Sequence, residues 1–142
     1  MTRILVVADD GALRYDLAQR LVQWGYEVFT ESDGALGFDA IEDWQPDVVL
    51  SDINMPNHTG FDLIHRVKQL SADYADMVFL FVSSRSGPTM VADGICCGAD
   101  DYITKPIDYA LLKAKIESHL RKRDKMQDQF TRTLFRIRCK QR

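Results

Sequence analysis

The sequence predicts an α/β fold, a doubly wound sheet of five parallel strands with helices on both faces. Two observations carry this. Short runs of apolar and β-branched residues recur five times, and most stop abruptly at polar residues, as buried parallel strands do. Between them lie segments whose apolar residues recur at helical spacing, and strands alternating with helices build a parallel sheet.

The first strand is Arg3 to Ala8, ending at Asp9 and Asp10. A helix from Ala12 to Trp24 follows, with Leu13, Leu17, Leu21 and Trp24 on one face and Gly25 as its stop. Tyr26 to Thr30 is the second strand. Asp33 is placed to cap a helix that runs through Phe38, Ile41 and Trp44, with Pro46 just past its end. The third strand is Val48 to Leu50, closing at Ser51 and Asp52. Pro56 cannot continue a ladder and biases Met55 away from helix, so the chain turns there. Gly60 to Leu70 is a helix with Phe61, Ile64, Val67 and Leu70 on one face.

Met77 to Val82 is the most apolar run of the chain, a central strand that ends at Ser83 and Ser84. Pro88 to Cys97 is a fourth, weaker helix, closed by Gly98. Asp101 to Thr104 is the fifth strand, and Lys105-Pro106 follows it. Ile107 to Leu120 is the fifth helix, with Leu111, Leu112, Ile116 and Leu120 inward.

The composition is that of a globular protein of 142 residues, with room for one domain and little more. No apolar run approaches a membrane span, and Ile4–Val7 is too short for a signal peptide, so a cytoplasmic protein without membrane contact is expected. Three cysteines, two of them adjacent, imply neither a disulfide framework nor a Cys/His metal site. The net charge of −3 hides an asymmetry. Residues 1–120 hold 9 Lys+Arg against 19 Asp+Glu, and residues 121–142 hold 9 against 2. An acidic body thus carries a basic tail, dividing the chain into a domain over 1–121 and an extension over 122–142.

Right-handed crossovers gather the loops after the strands on one edge of such a sheet. Those loops hold Asp9, Asp10, Asp52, Ser83 and Lys105. Crowded carboxylates invite a hard divalent cation, and Mg²⁺ is commonly held by one or two carboxylates beside phosphate oxygens. A carboxylate facing such an ion can act as a nucleophile toward phosphorus. A transferring phosphoryl group needs its oxygens neutralised, which a metal, the Lys105 ammonium and the Ser83 hydroxyl can do together. No glycine-rich phosphate loop is present, so the donor need not be a bound nucleotide.

These residues resemble the receiver domain of bacterial two-component response regulators. The likeness covers residues 3 to about 121. It rests on Ile4 to Asp10, on Asp52 with Met55-Pro56 and Gly60, on Ser83, and on Gly98 to Pro106. The resemblance implies a flavodoxin-like strand order of 2-1-3-4-5. It also implies that Asp52 takes a phosphoryl group from the phosphohistidine of a sensor kinase or phosphotransfer protein. Asp9 resembles the direct Mg²⁺ ligand, with Asp52 and the backbone carbonyl of Asn54 as further ligands, and Asp10 is a further candidate ligand, in place of the second acid usual before Asp9. Lys105 resembles the lysine that pairs with the phosphoryl oxygens, and its bond to Pro106 is expected to be cis. Ser83 resembles the switch hydroxyl. Tyr102 resembles the aromatic that swings with it and changes the surface of the fourth helix and fifth strand.

The chain departs from the family at Ala8, where a second acid is usual, so weaker Mg²⁺ binding is expected. Ser84 stands where alanine is common, Ile107 where phenylalanine is, and Arg85 and Asn54 occupy positions that influence the lifetime of the phosphate. The tail reads two ways. Met126, Phe130, Leu134 and Ile137 suit an amphipathic helix serving as a dimerising stalk or a linker to an output domain. Phe135, Ile137 and Cys139 alternating with basic residues suit a strand. Nucleic-acid binding has no support beyond the charge itself. The main expectation is a phosphorylation-switched signalling module and no metabolic enzyme; the rival is a phosphate-independent interaction domain of the same fold. A phosphohydrolase would call for an Asp where Asn54 stands.

Overall fold

The computed structural model describes residues 1–56, 58–70, 74, 76–84 and 98–140. The elements are β1 (Arg3–Val7), α1 (Gly11–Gln23), β2 (Glu27–Glu31), α2 (Gly34–Trp44), β3 (Val48–Asp52), α3 (Gly60–Lys68), β4 (Val78–Ser83), β5 (Asp101–Thr104) and a C-terminal helix (Tyr109–Lys140). The sheet runs β2-β1-β3-β4-β5 and every pairing is parallel, the architecture and order expected. The expected helix at Pro88–Cys97, with Arg85, Cys96 and Cys97, lies outside the described residues.

The central strands are apolar on both faces because both are covered. Leu5, Val7, Val49, Phe79 and Phe81 pack against Ile41 of α2 and Leu63, Ile64 and Val67 of α3. Their neighbours Ile4, Val6, Val48, Leu50, Leu80 and Val82 point the other way, onto Leu17 and Leu21 of α1 and Leu112 and Ile116 of the C-terminal helix. The period of two is thus present but hidden within runs where every residue is buried. Each fully buried leucine or isoleucine contributes about 1.5–3 kcal/mol relative to exposure. Tyr102 is buried in the α2/α3 layer, deeper than the half-buried setting of an ordinary strand aromatic.

Short polar side chains start the helices. Asp10 caps α1 by accepting from the backbone N–H groups of Ala12 and Leu13, and Asp33 caps α2 through Leu36 as expected. Thr59 and Asp62 form a reciprocal capping box on α3. The tail resolves to helix, and the helix is continuous through residue 121, so the expected boundary there is not a break in the chain's path.

Candidate functional site

Asp52 ends β3, and its position follows from pairing on both sides. Val7 of β1 lies beside Ser51, and Val82 of β4 lies beside Asp52 itself. The residues that lead on from these pairs, Ala8 and Asp9 on one side and Ser83 on the other, therefore flank Asp52 at the carboxyl edge. Asp52 is only 5% exposed. Its Oδ2 accepts a hydrogen bond from Nζ of Lys105 at 2.7 Å, and its Oδ1 accepts one from the Asn54 backbone N–H at 3.3 Å. A nearly buried carboxylate needs such partners, since burying an unpaired charge is costly.

Lys105 is brought there by β5. Ser83 pairs with Thr104, and the next backbone N–H, that of Lys105, donates to the Ser83 carbonyl at 2.8 Å. The Lys105–Pro106 peptide is cis, as expected. Asp100 fastens the approach to β5, accepting from Phe79 N–H at 2.8 Å while its own N–H donates to the Phe79 carbonyl. Ser83 is fully buried.

The β3–α3 loop closes tightly over this edge. Gly60 N–H donates to the Ile53 carbonyl at 2.7 Å, and a Cβ on Gly60 would lie 2.5 Å from the Asp52 carbonyl oxygen and 3.0 Å from Ile53 Cα. Only glycine admits that approach. Met55 is buried, whereas Asn54 is exposed, with its backbone turned toward Asp52.

The acids at the rim divide their work. Asp9 is exposed at the strand end, and Asp10 commits its Oδ1 to the α1 cap at 3.0 and 3.3 Å. Among the described residues no three His, Cys, Asp or Glu side chains converge as a metal cluster. The oxygens available are instead two carboxylates, of Asp9 and Asp52, and nearby backbone carbonyls. Such a hard-oxygen set suits Mg²⁺, which keeps several of its waters. Glu31, paired with Val7, has its carboxyl pushed up by burial first, then by repulsion from Asp33 and Asp39, with Arg14 opposing.

Two residues act here that sequence reasoning did not assign. Arg14 donates from Nη1 to the carbonyls of Ala8 and Asp9, at 2.7 and 3.2 Å, and so fixes the backbone that presents Asp9. Ser51 is fully buried, and its hydroxyl donates to the Asp52 carbonyl at 2.9 Å. The only signals were an arginine one turn into the first helix and a hydroxyl inside an apolar strand. His58 and His65 stay out of the site, the first half-buried and the second exposed.

The family model described as response regulator receiver domain matches residues 4–117. The chain is 34% identical over 122 residues to the sensory transduction protein BceR of Halalkalibacterium halodurans, covering 86% of this chain and 51% of that protein. It is 34% identical to the transcriptional regulatory protein YxdJ of Bacillus subtilis, covering 86% and 52%. The chain therefore spans about half the length of these relatives. Among solved structures, a CheY-like response regulator receiver domain protein from Methanospirillum hungatei superposes with a TM-score of 0.81 at 29% identity, covering 89% of this chain and 98% of that one. The chemotaxis response regulator CheY4 of Vibrio cholerae superposes with a TM-score of 0.78 at 28% identity, covering 84% and 98%.

Proposed function

The chain belongs to the response regulator receiver domain family, and from that premise we propose that it is a two-component signalling module switched by phosphorylation of Asp52. The observation that carries this reading is the 2.7 Å contact between Lys105 Nζ and a carboxylate 5% exposed at a strand end. A carboxylate oxygen of Asp52 attacks phosphorus, and its bond to phosphorus forms as the donor's phosphorus–nitrogen bond breaks. The donor imidazole leaves on the side of a sensor histidine kinase or phosphotransfer protein. Lys105 pairs with the phosphoryl oxygens, and the Ser83 hydroxyl donates to one of them. Asp9, Asp52 and the Asn54 carbonyl would hold Mg²⁺, with Asp10 as a rim charge engaged in its cap. Bound there, Mg²⁺ supplies charge neutralisation for the phosphoryl oxygens.

The switch passes from Ser83 to Tyr102 and to the surface around β5 and the segment 88–97. Slow hydrolysis of the acyl phosphate resets it, so the chain transfers and loses phosphate without a metabolic turnover. The receiver occupies 1–121, and 122–142 is an extension toward an output domain or a homodimer contact. In this reading the module works in the cytoplasm, as its family implies; among the described residues no helix is long and apolar enough to cross a membrane.

A second reading, a receiver-like domain that binds partners without phosphate, draws on Ala8, which brings no carboxylate and whose carbonyl is taken by Arg14. Intact-mass measurement after incubation with Mg²⁺ and a small-molecule phosphoryl donor separates the two. A gain of one phosphoryl group in the wild type and none in Asp52→Asn supports the switch. No gain in the wild type leaves the second reading standing.

A further inference from the structure

The C-terminal helix leaves the body at the end of the sheet opposite Asp52, and there it is gripped twice. Arg123 Nη1 donates to Oδ1 of Asp47 at 2.9 Å, with the arginine side chain 17% exposed. One turn on, Gln127 Nε2 donates to Oδ2 of Asp76 at 3.3 Å. Asp47 is itself held, since its Oδ2 accepts from the Arg3 N–H at 2.8 Å, and Asp47 N–H donates to the Arg3 carbonyl at 2.8 Å. Its approach is set by Gln45, the left-handed cap of α2 at φ 53°, and by buried Pro46. Asp47 directly precedes β3, and Asp76 stands two residues before β4. The strands that end in Asp52 and Ser83 therefore begin beside the two carboxylates that hold the helix.

From here on the large apolar side chains among the described residues are open to solvent. Met126, Phe130 and Leu134 are 70%, 65% and 46% exposed. A short stretch of helix on its own is marginal in water, and it persists where a packed segment supplies the nucleus. The packed segment here ends near Leu120, and the grip on Arg123 and Gln127 carries the order one to two turns further.

We propose that Asp47 and Arg123, with Asp76 and Gln127, are positioning residues that fix where the C-terminal extension leaves the receiver, and that this clamp is separable from the phosphoryl chemistry. The inference stands on the contacts at the base of the sheet and does not require that Asp52 take phosphate.

Hydrogen exchange of the whole chain, read at amides 121–131, tests it in Arg123→Leu, Asp47→Asn and Gln127→Ala. Arg123→Leu and Asp47→Asn should exchange about fivefold or more faster there, with amides 4–7 and those of β3 speeding by no more than that factor. Arg123→Lys, which keeps the charge, should recover most of the protection. Exchange within about twofold of wild type in both Arg123→Leu and Asp47→Asn overturns the clamp. So does exchange in amides 4–7 and β3 that speeds by more than it does at 121–131, which would make these residues supports of the fold rather than of the helix exit. If Asp47→Asn does not fold, Arg123→Leu and Gln127→Ala decide alone, because both positions lie beyond the packed segment. Phosphoryl incorporation by the same variants, read by mass, should match that of wild type. A loss confined to the clamp variants overturns separability, and a lack of incorporation in the wild type bears on the phosphoacceptor reading alone.

Discussion

Lys105 and Gly60 shape Asp52 by opposite means, one by a charge and the other by the lack of a side chain. Lys105→Met removes the ammonium that sits 2.7 Å from Asp52 Oδ2. Phosphoryl incorporation should slow by about 10²-fold, the typical loss for one positioned donor, in a time course of intact mass. Stability should fall by about 1–3 kcal/mol because a buried carboxylate loses its partner. Gly60→Ala puts a Cβ 2.5 Å from the Asp52 carbonyl and 3.0 Å from the Phe81 ring. Backbone cannot step aside as a flexible side chain would, so a cost of about 1–3 kcal/mol is expected in urea unfolding. An unchanged midpoint would mean that the loop opens without cost. Asp9, Asp52, Ser83 and Lys105 were legible in the sequence because each closes a strand, and topology brings strand ends together. Arg14 and Ser51 were not, because both work on backbone carbonyls, and no residue pattern records which carbonyl a side chain will find.

At the scale of elements, the join between β5 and the C-terminal helix rests on Asp101. It accepts from Lys115 Nζ at 2.8 Å and from the Tyr102 N–H, and it meets His119 Nε2 at 3.0 Å. Burial alone would raise its carboxyl pKa, but the hydrogen bonds from Lys115, His119 and Tyr102 outweigh that and hold it below the ordinary aspartate value. A depressed carboxylate adds stability that is present above its unfolded pKa and lost as pH falls through the folded one. Wild type should therefore exceed Asp101→Asn by about 1 kcal/mol near neutrality, and the two melting curves should converge in acid below the ordinary aspartate range. A gap that persists there would assign the loss to packing. Elements themselves were easy to read where caps and periodicity agreed, as at Asp33. The tail was ambiguous because Phe135 to Cys139 alternate like a strand. The helix prevails because it propagates from a packed segment, so no new nucleus has to form.

The molecule as a whole is an acidic receiver from whose base a basic helix departs, with the site at the far end of the same sheet. Among the described residues the last turns of that helix give the body no packing, since 128–134 and 136 are all exposed. Truncation after Asp128 should leave the thermal midpoint within about 2 °C, because none of the described side chains it removes is buried. Truncation after Leu120 should behave differently. It takes away the Arg123–Asp47 ion pair and the Gln127–Asp76 bond. At roughly 4 °C per kcal/mol for a chain of this size, losing one partly buried pair should lower the midpoint by several degrees. A raised salt concentration should narrow the difference, as screening weakens what the pair contributes. Equal midpoints for both truncations would show that Asp47 is as well satisfied by Arg3 and solvent as by the helix, and the extension would then be a passenger on the receiver.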